Sequence, residues 1–299
     1  MHIRIALFFI YMAISLPLCV VYILVIGLLA VRSEFDSSFY TFFVFTGIVD
    51  LILFTLNIFC YYLPFIPGVS QFYVKFQDEP WNSEWRPEYS WMISVANTLM
   101  YYMASIQDVT NLLVSLNRFL ALLYPFLFKK IFTRAFTLVL IPLAMIISFT
   151  SCFITIAAPG FFVDITDENG TEKIYMMHAE SQVHFPTINR STLISSHIFA
   201  CNGLCFLIYC IIAVQIFRAK AVNSGEVRLF FLGFLILLTN APSIIYQIYW
   251  SIYKGDGSST VFMLLPWVIM VKTLAPPLLL LMTNTGMRRE IRYESVLAS

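Results

Sequence analysis

Charge is what this sequence has least of. Asp, Glu, Lys and Arg supply 12% of its 299 residues against 60% hydrophobic, and mean hydropathy is +0.81. A soluble globular domain carries roughly 25% charged residues, so a water-soluble fold is excluded. Linker composition is missing as well: no Gly/Ser/Pro-rich stretch divides the chain, which reads as a single domain over 1–299. The net charge of +1 says little by itself, and nucleic acid is not an implied partner.

Catalytic and metal signatures are equally absent. The sequence has no phosphate-binding glycine loop, no HExxH, no GxSxG and no CxxC pair, so neither an enzyme nor a cofactor is expected. His178 and His184 stand among carboxylates, but their six-residue spacing matches no standard zinc site. Asp164, Asp167 and Glu168 before Gly170 lack the alternating ligands of a calcium loop. No metal is expected. The six cysteines lie inside apolar segments, which is not a disulfide framework. Cys60 and Cys152 are near the outer ends of their segments and within reach of a pairing, though buried free thiols are the preferred reading.

What the sequence does have is long hydrophobic runs. Seven reach the ~17 to 25 residues a spanning helix requires, at about 5–31, 39–64, 92–117, 136–158, 193–217, 229–253 and 261–283. The expected fold is all-α, a polytopic membrane protein built as a seven-transmembrane helix bundle. An odd count puts the termini on opposite sides. Eleven Lys and Arg fall on one side, including Arg118, Lys129, Lys130, Arg218, Lys220 and Arg228, and six on the other. Cytoplasmic loops keep the positive charge, so the N-terminus is expected outside and the C-terminus inside, with 284–299 a short basic cytoplasmic tail. Its stretch Met287 to Arg292 suits a short helix lying on the inner leaflet. Both N-x-S/T sequons, at Asn169 and Asn189, fall in the long loop this topology puts outside, and are expected glycosylation sites. All five tryptophans lie in outer loops or outer helix halves, as an interfacial belt would. The apolar run of the first span exceeds the ~7 to 15 residues of a signal h-region, so it reads as a retained helix.

Three ionisable residues stand mid-span: Asp50 in the second span, Asp108 in the third and Lys272 in the seventh. At 1.5 Å per residue they sit about 15 to 17 Å deep, close to the midplane. Each would cost ~2.5 to 3.5 kcal/mol at the centre of a lone helix, so all three must face the bundle interior. Lys272 is expected to pair with Asp50 or with Asp108, leaving the other carboxylate protonated or holding a cation. Asn57, Gln107 and Asn111 fall on the right faces to join that network.

Certain motifs carry a resemblance. Leu116-Asn117-Arg118-Phe119 at the cytoplasmic end of the third span, with Pro125 seven residues on, resembles the arginine motif of rhodopsin-like G-protein-coupled receptors. Asp50 resembles their second-helix aspartate and Pro242 the proline that kinks their sixth helix. Phe35 to Tyr40, Asn117-Arg118-Phe119 followed by Tyr124-Pro125, and Pro276-Pro277 with four leucines are similar to nematode serpentine chemoreceptors of the Srg and Srv group, Srv-like favoured. Asn117 replaces the usual acidic residue, and no cysteine tops the third span, departures that favour the nematode group. The resemblance implies a chemosensory receptor in the plasma membrane, by analogy of a sensory-neuron cilium, that binds a small molecule in the outer half of the bundle and signals to a heterotrimeric G protein. Met100, Tyr101, Ala104, His197, Cys201, Ser243, Gln247, Met263 and Trp267 become ligand-pocket candidates. Asn117, Arg118, Pro125, Lys129, Lys130, Arg218, Lys220 and Arg228 become the G-protein-facing set.

Two other functions compete. Asp50, Asp108 and Lys272 could serve a transporter or an ion- or proton-conducting protein, although no inverted halves or paired broken helices are found. Lys272 could also carry retinal, but Pro276 follows it by four residues where such pigments have seven.

Overall fold

A computed structural model describes residues 2–31, 37–66, 69, 91–156, 160–166, 173–179, 190–218, 224–252 and 259–283. Among them the helices are α1 (His2–Val31), α2 (Ser38–Asn57), α3 (Trp91–Leu123), α4 (Pro125–Ile131), α5 (Arg134–Ile156), α6 (Arg190–Arg218), α7 (Ser224–Thr239), α8 (Ala241–Ile252) and α9 (Ser259–Thr283). With α7 and α8 counted as one broken rod and α4 set aside as a single short helix, seven rods correspond to the seven hydrophobic runs.

Six of the rods are long and apolar enough to cross a membrane: Ile5–Val31, Ser38–Tyr62, Arg134–Phe153, Thr192–Arg218, Val227–Tyr249 and Leu264–Thr283. The rod missing from that group is α3, and its polarity has a structural cause. It packs against α2, α5, α6 and α7 at the centre of the bundle, where Asn97, Ser105, Gln107, Asp108, Thr110, Ser115, Asn117 and Arg118 are all buried. A central helix meets protein rather than lipid, so polar side chains there find partners instead of hydrocarbon. Its 33 residues give a length of about 50 Å, ample for a bilayer. The outer rods show the complement, with Ile23, Leu24, Val139, Ile146, Phe206 and Leu207 exposed as a lipid-facing surface requires.

Local chemistry sets the element ends. Tyr124 (φ −135°, ψ 62°) breaks the helix between α3 and α4 because the Pro125 ring disfavours helical backbone before it. The third rod therefore runs five residues past Arg118, further than its hydropathy reached. The second rod ends irregularly: α2 passes into a π turn over Ile58–Tyr62 and a 3-10 turn over Leu63–Phe65 containing Pro64. The sixth run breaks at Asn240. Pro242 has no N–H to give Leu238, and the chain there is held by Asn240 N–H donating to Leu237 O at 3.1 Å and Ile244 N–H to Asn240 O at 3.1 Å. Close approach of the first two rods depends on Gly47, whose absent Cβ would lie 2.7 Å from Ile26 Cδ1.

One feature departs from an all-helical chain. Gly160–Thr166 (β1) and Lys173–Ala179 (β2) pair antiparallel, Gly160 opposite Ala179 and Thr166 opposite Lys173, in the loop read only as polar and aromatic. The hairpin packs its backbone against α3 and the π and 3-10 turns, at the end of the bundle opposite Arg118. Asn169, Asn189, Lys220, the loop at 65–91 apart from its first two residues, Val69 and Trp91, and the tail from 284 lie outside the described residues, as does the short helix expected at 287–292.

Candidate functional site

The bundle centre holds a continuous polar layer. On α9, Lys272 Nζ donates to Asp108 Oδ1 on α3 at 2.9 Å. The same oxygen accepts Asn202 Nδ2 of α6 at 3.4 Å, and Asn202 Oδ1 accepts Asn240 Nδ2 at 3.1 Å. Asn240 is the break between α7 and α8, so the buried pair is wired to the kink. Next to Asp108 on α3, Gln107 Nε2 donates to Asp50 Oδ1 of α2 at 2.7 Å and to Lys272 O at 3.4 Å. Tyr22 Oη of α1 closes the other side, donating to Asp50 Oδ2 at 2.5 Å. Six rods therefore meet in one chain of hydrogen bonds.

The fourth rod, α5, joins nearby. Ser105, three residues before Asp108, has its Oγ 2.8 Å from Ser151 Oγ of α5 and 2.7 Å from His197 Nε2 of α6. Ser151 in turn donates to Ser148 O at 2.7 Å.

Burial decides what this layer can be. Asp50 is 0% exposed, Asp108 1% and Lys272 6%, so no bulk water screens them. Of the two aspartates considered for Lys272, Asp108 has the ammonium, while Asp50 is held by two neutral donors. A small cavity lies beside Asp50, lined by Tyr22, Gln107, Asn111 and Lys272 among others, with room for about one or two waters. It is too small for an organic ligand. A second cavity shares Asn111 with it and continues to Ser115, Cys205 and Tyr209, towards the Arg118 end.

The other sequence candidates divide by place. Asn57 is buried but bonds elsewhere, donating to Tyr11 Oη at 3.1 Å and to Pro266 O at 3.2 Å. Met100 and Cys201 are buried, while Tyr101, Ala104, His197, Ser243, Gln247 and Trp267 are half-buried. Gln247 donates to Ser195 Oγ at 2.8 Å. Trp267 turns towards the first rod, edge-on to Tyr11 with centroids 5.3 Å apart. The Met263 side chain lies outside the described residues.

At the opposite end, Asn117 is buried and donates to Ser38 Oγ at 2.6 Å, tying α3 to α2. Arg118 is 5% exposed, its guanidinium 3.9 Å from the centroid of the Phe39 ring. Pro125, Lys129, Lys130, Arg218 and Arg228 are exposed. Phe126, 90% exposed, stands beside the two lysines on α4. All six cysteines are free, Cys60 and Cys152 included.

Tyr22, Asn202 and Asn240 were not singled out from the sequence. A lone uncharged amide or tyrosine within a span carries no strong signal, and each becomes significant only through its partner on another rod.

With that geometry in hand, comparison with known families is decisive. A family model described as Srg family chemoreceptor matches residues 6–291. The chain belongs to the Srg family of chemoreceptors. It is thus a polytopic all-α membrane receptor of the nematode serpentine kind, not an enzyme. Of the two branches named from the motifs, the match is with Srg. No curated protein matches the chain.

Proposed function

We propose that this Srg receptor crosses the plasma membrane seven times with its N-terminus outside, binds a small chemical ligand in the half of the bundle away from Arg118, and activates a heterotrimeric G protein at the Arg118 end. The observation that carries the reading is the polar layer joining six rods at mid-depth. A ligand favouring one rod arrangement can bias the far end only through elements shared by both ends, and this layer includes the α7–α8 break. The ligand half holds Met100, Tyr101, Ala104, His197, Cys201, Ser243, Gln247, Met263 and Trp267, a mixed apolar and polar set of the kind small-molecule sites use.

The G-protein face would be Phe126 with Lys129, Lys130, Arg218, Lys220 and Arg228, an apolar anchor ringed by cations. Asn117 and Arg118 stay behind it, covered by Ser38 and Phe39 until the rods part. Asn169 and Asn189 would carry glycans, and a sensory cilium is the proposed location.

The test is ligand-dependent nucleotide exchange by purified G proteins added to the reconstituted receptor, over a broad panel of small metabolites. Exchange should appear with at least one G-protein subtype and fall more than tenfold in Arg118→Ala. Silence with every subtype across the panel would contradict the coupling.

A further inference from the structure

Arg118 rests against two consecutive residues that open α2. Asn117 donates to Ser38 Oγ at 2.6 Å, and the Arg118 guanidinium stands 3.9 Å from the centroid of the Phe39 ring. Parting the first turn of α2 from α3 therefore breaks both contacts together. Phe39 is 1% exposed and Arg118 5%. A buried cation is costly unless something compensates its charge, and the negative face of an aromatic ring within about 6 Å supplies part of that compensation. An arginine lodged there meets a protein in the cytoplasm only after it leaves the ring.

A second observation links that ring to the polar layer. Phe39, Phe43 and Asp50 follow one another at four and seven residues, along one face of α2, and the rings of Phe39 and Phe43 have centroids 6.3 Å apart. Phe43 meets Tyr22 of α1 at 6.5 Å, and Tyr22 Oη donates to Asp50 Oδ2. Gly47 lets this row close up, since a Cβ there would lie 3.0 Å from Tyr22 Cε2. A well-packed interior leaves rings little room to shift, but the small cavity beside Asp50 is lined by both Tyr22 and Phe43. The row of rings thus borders free volume into which it can move.

We propose that Phe39 is a positioning residue for signalling: its ring face holds Arg118 back in the resting receptor, and Phe43 and Tyr22 tie that hold to Asp50. The inference rests on the coupling assigned above and names the contact that keeps Arg118 from the G protein when no ligand is bound. Drawing Tyr22 away from Asp50 lets Phe43 and then Phe39 shift, and the guanidinium loses the face that compensates its charge. The hold depends on the electrostatics of the ring and not on its bulk alone, which separates a latch from ordinary packing.

The test puts mono-, di- and trifluorophenylalanine at position 39 of the full chain, a series that drains the negative ring face with little change of shape. Ligand-free nucleotide exchange by the reconstituted receptor should rise with each fluorine, to about threefold or more with the third. Tyr22→Phe, which keeps the ring and removes the hydroxyl bonded to Asp50, should also raise ligand-free exchange, and its rise should not multiply with that of trifluorophenylalanine. Exchange that ignores fluorine count would overturn the latch, and rises that multiply would overturn its tie to Asp50. A second measurement needs no G protein: the melting temperature of purified receptor should fall with each fluorine when Arg118 is present and stay level in Arg118→Met. Equal slopes in the two backgrounds would overturn the contact. A receptor that drives no exchange in any variant but shows the two melting slopes contradicts the coupling and leaves the Phe39–Arg118 contact supported, whereas ligand-driven exchange with equal slopes sinks the latch alone.

Discussion

At the scale of single residues, the contacts rank by what breaking them leaves behind. Asn117 loses one neutral hydrogen bond, to Ser38, when truncated to alanine. Polar contacts between membrane helices average about 0.6 kcal/mol, so Asn117→Ala should lower the melting temperature of purified receptor only slightly; a collapse of expression would show the contact to be worth far more. Gly233 is a steric case instead. A Cβ there would stand 2.0 Å from Tyr209 Oη and 2.9 Å from Tyr209 Cζ, and Tyr209 is itself buried between Phe230 and Phe234, with centroids 5.8 and 6.2 Å away. Overpacking of this kind costs about 1–3 kcal/mol. Gly233→Ala should therefore destabilise the receptor by that amount in thermal melts, and by clearly less in a Tyr209→Phe background where the nearest atom is gone. Equal losses in both backgrounds would rule out the Tyr209 clash.

At the scale of elements, the break at Asn240 distinguishes α7–α8 from an ordinary spanning helix. Pro242→Ala restores an N–H that can serve Leu238 O and continue the helix. Its expected effect is a several-fold drop in ligand-stimulated nucleotide exchange with surface expression retained; unchanged exchange would mean that the break plays no part in switching. Elements were also where the sequence was most legible. Hydropathy marked seven runs, and six of the described rods are long and apolar enough to cross a membrane, because lipid imposes one requirement on twenty residues together. It located their ends less well, since ends depend on single residues: α3 stops only at Leu123, five residues beyond Arg118, where Pro125 breaks the helix at Tyr124, and Pro64 follows a π turn that no periodicity announces. The hairpin at Gly160–Thr166 and Lys173–Ala179 escaped for a different reason, because its pairing joins two stretches within a loop whose composition is only polar and aromatic.

At the scale of the whole molecule, the inward-facing charges were legible and their pairing was not. Asp50, Asp108 and Lys272 announce themselves by their cost in lipid, but Asp108 and Lys272 are 164 residues apart in sequence, and spacing along one helix says nothing about a partner on another. Tyr22, Asn202 and Asn240 entered only when six rods were seen together. Orientation is a whole-molecule property too. Glycosidase treatment should shift the mass of expressed receptor through Asn169 and Asn189, and an epitope after Ser299 should be unlabelled on intact cells; labelling of that epitope from outside would invert the bundle.

The central claim is that Lys272 and Asp108 pair across the middle of the bundle. Removing either partner of a buried pair strands a charge, at about 3–5 kcal/mol, whereas Asp50, hydrogen-bonded by Tyr22 and Gln107 rather than by the ammonium, should couple to Lys272 more weakly than Asp108 does. The direct measurement is a thermal-melting cycle on purified receptor with Lys272→Asp, Asp108→Lys and the two combined. The pairing predicts that the combined swap recovers most of the stability either single change loses; additive losses, or recovery only when Lys272→Asp is matched with Asp50→Lys, would contradict it.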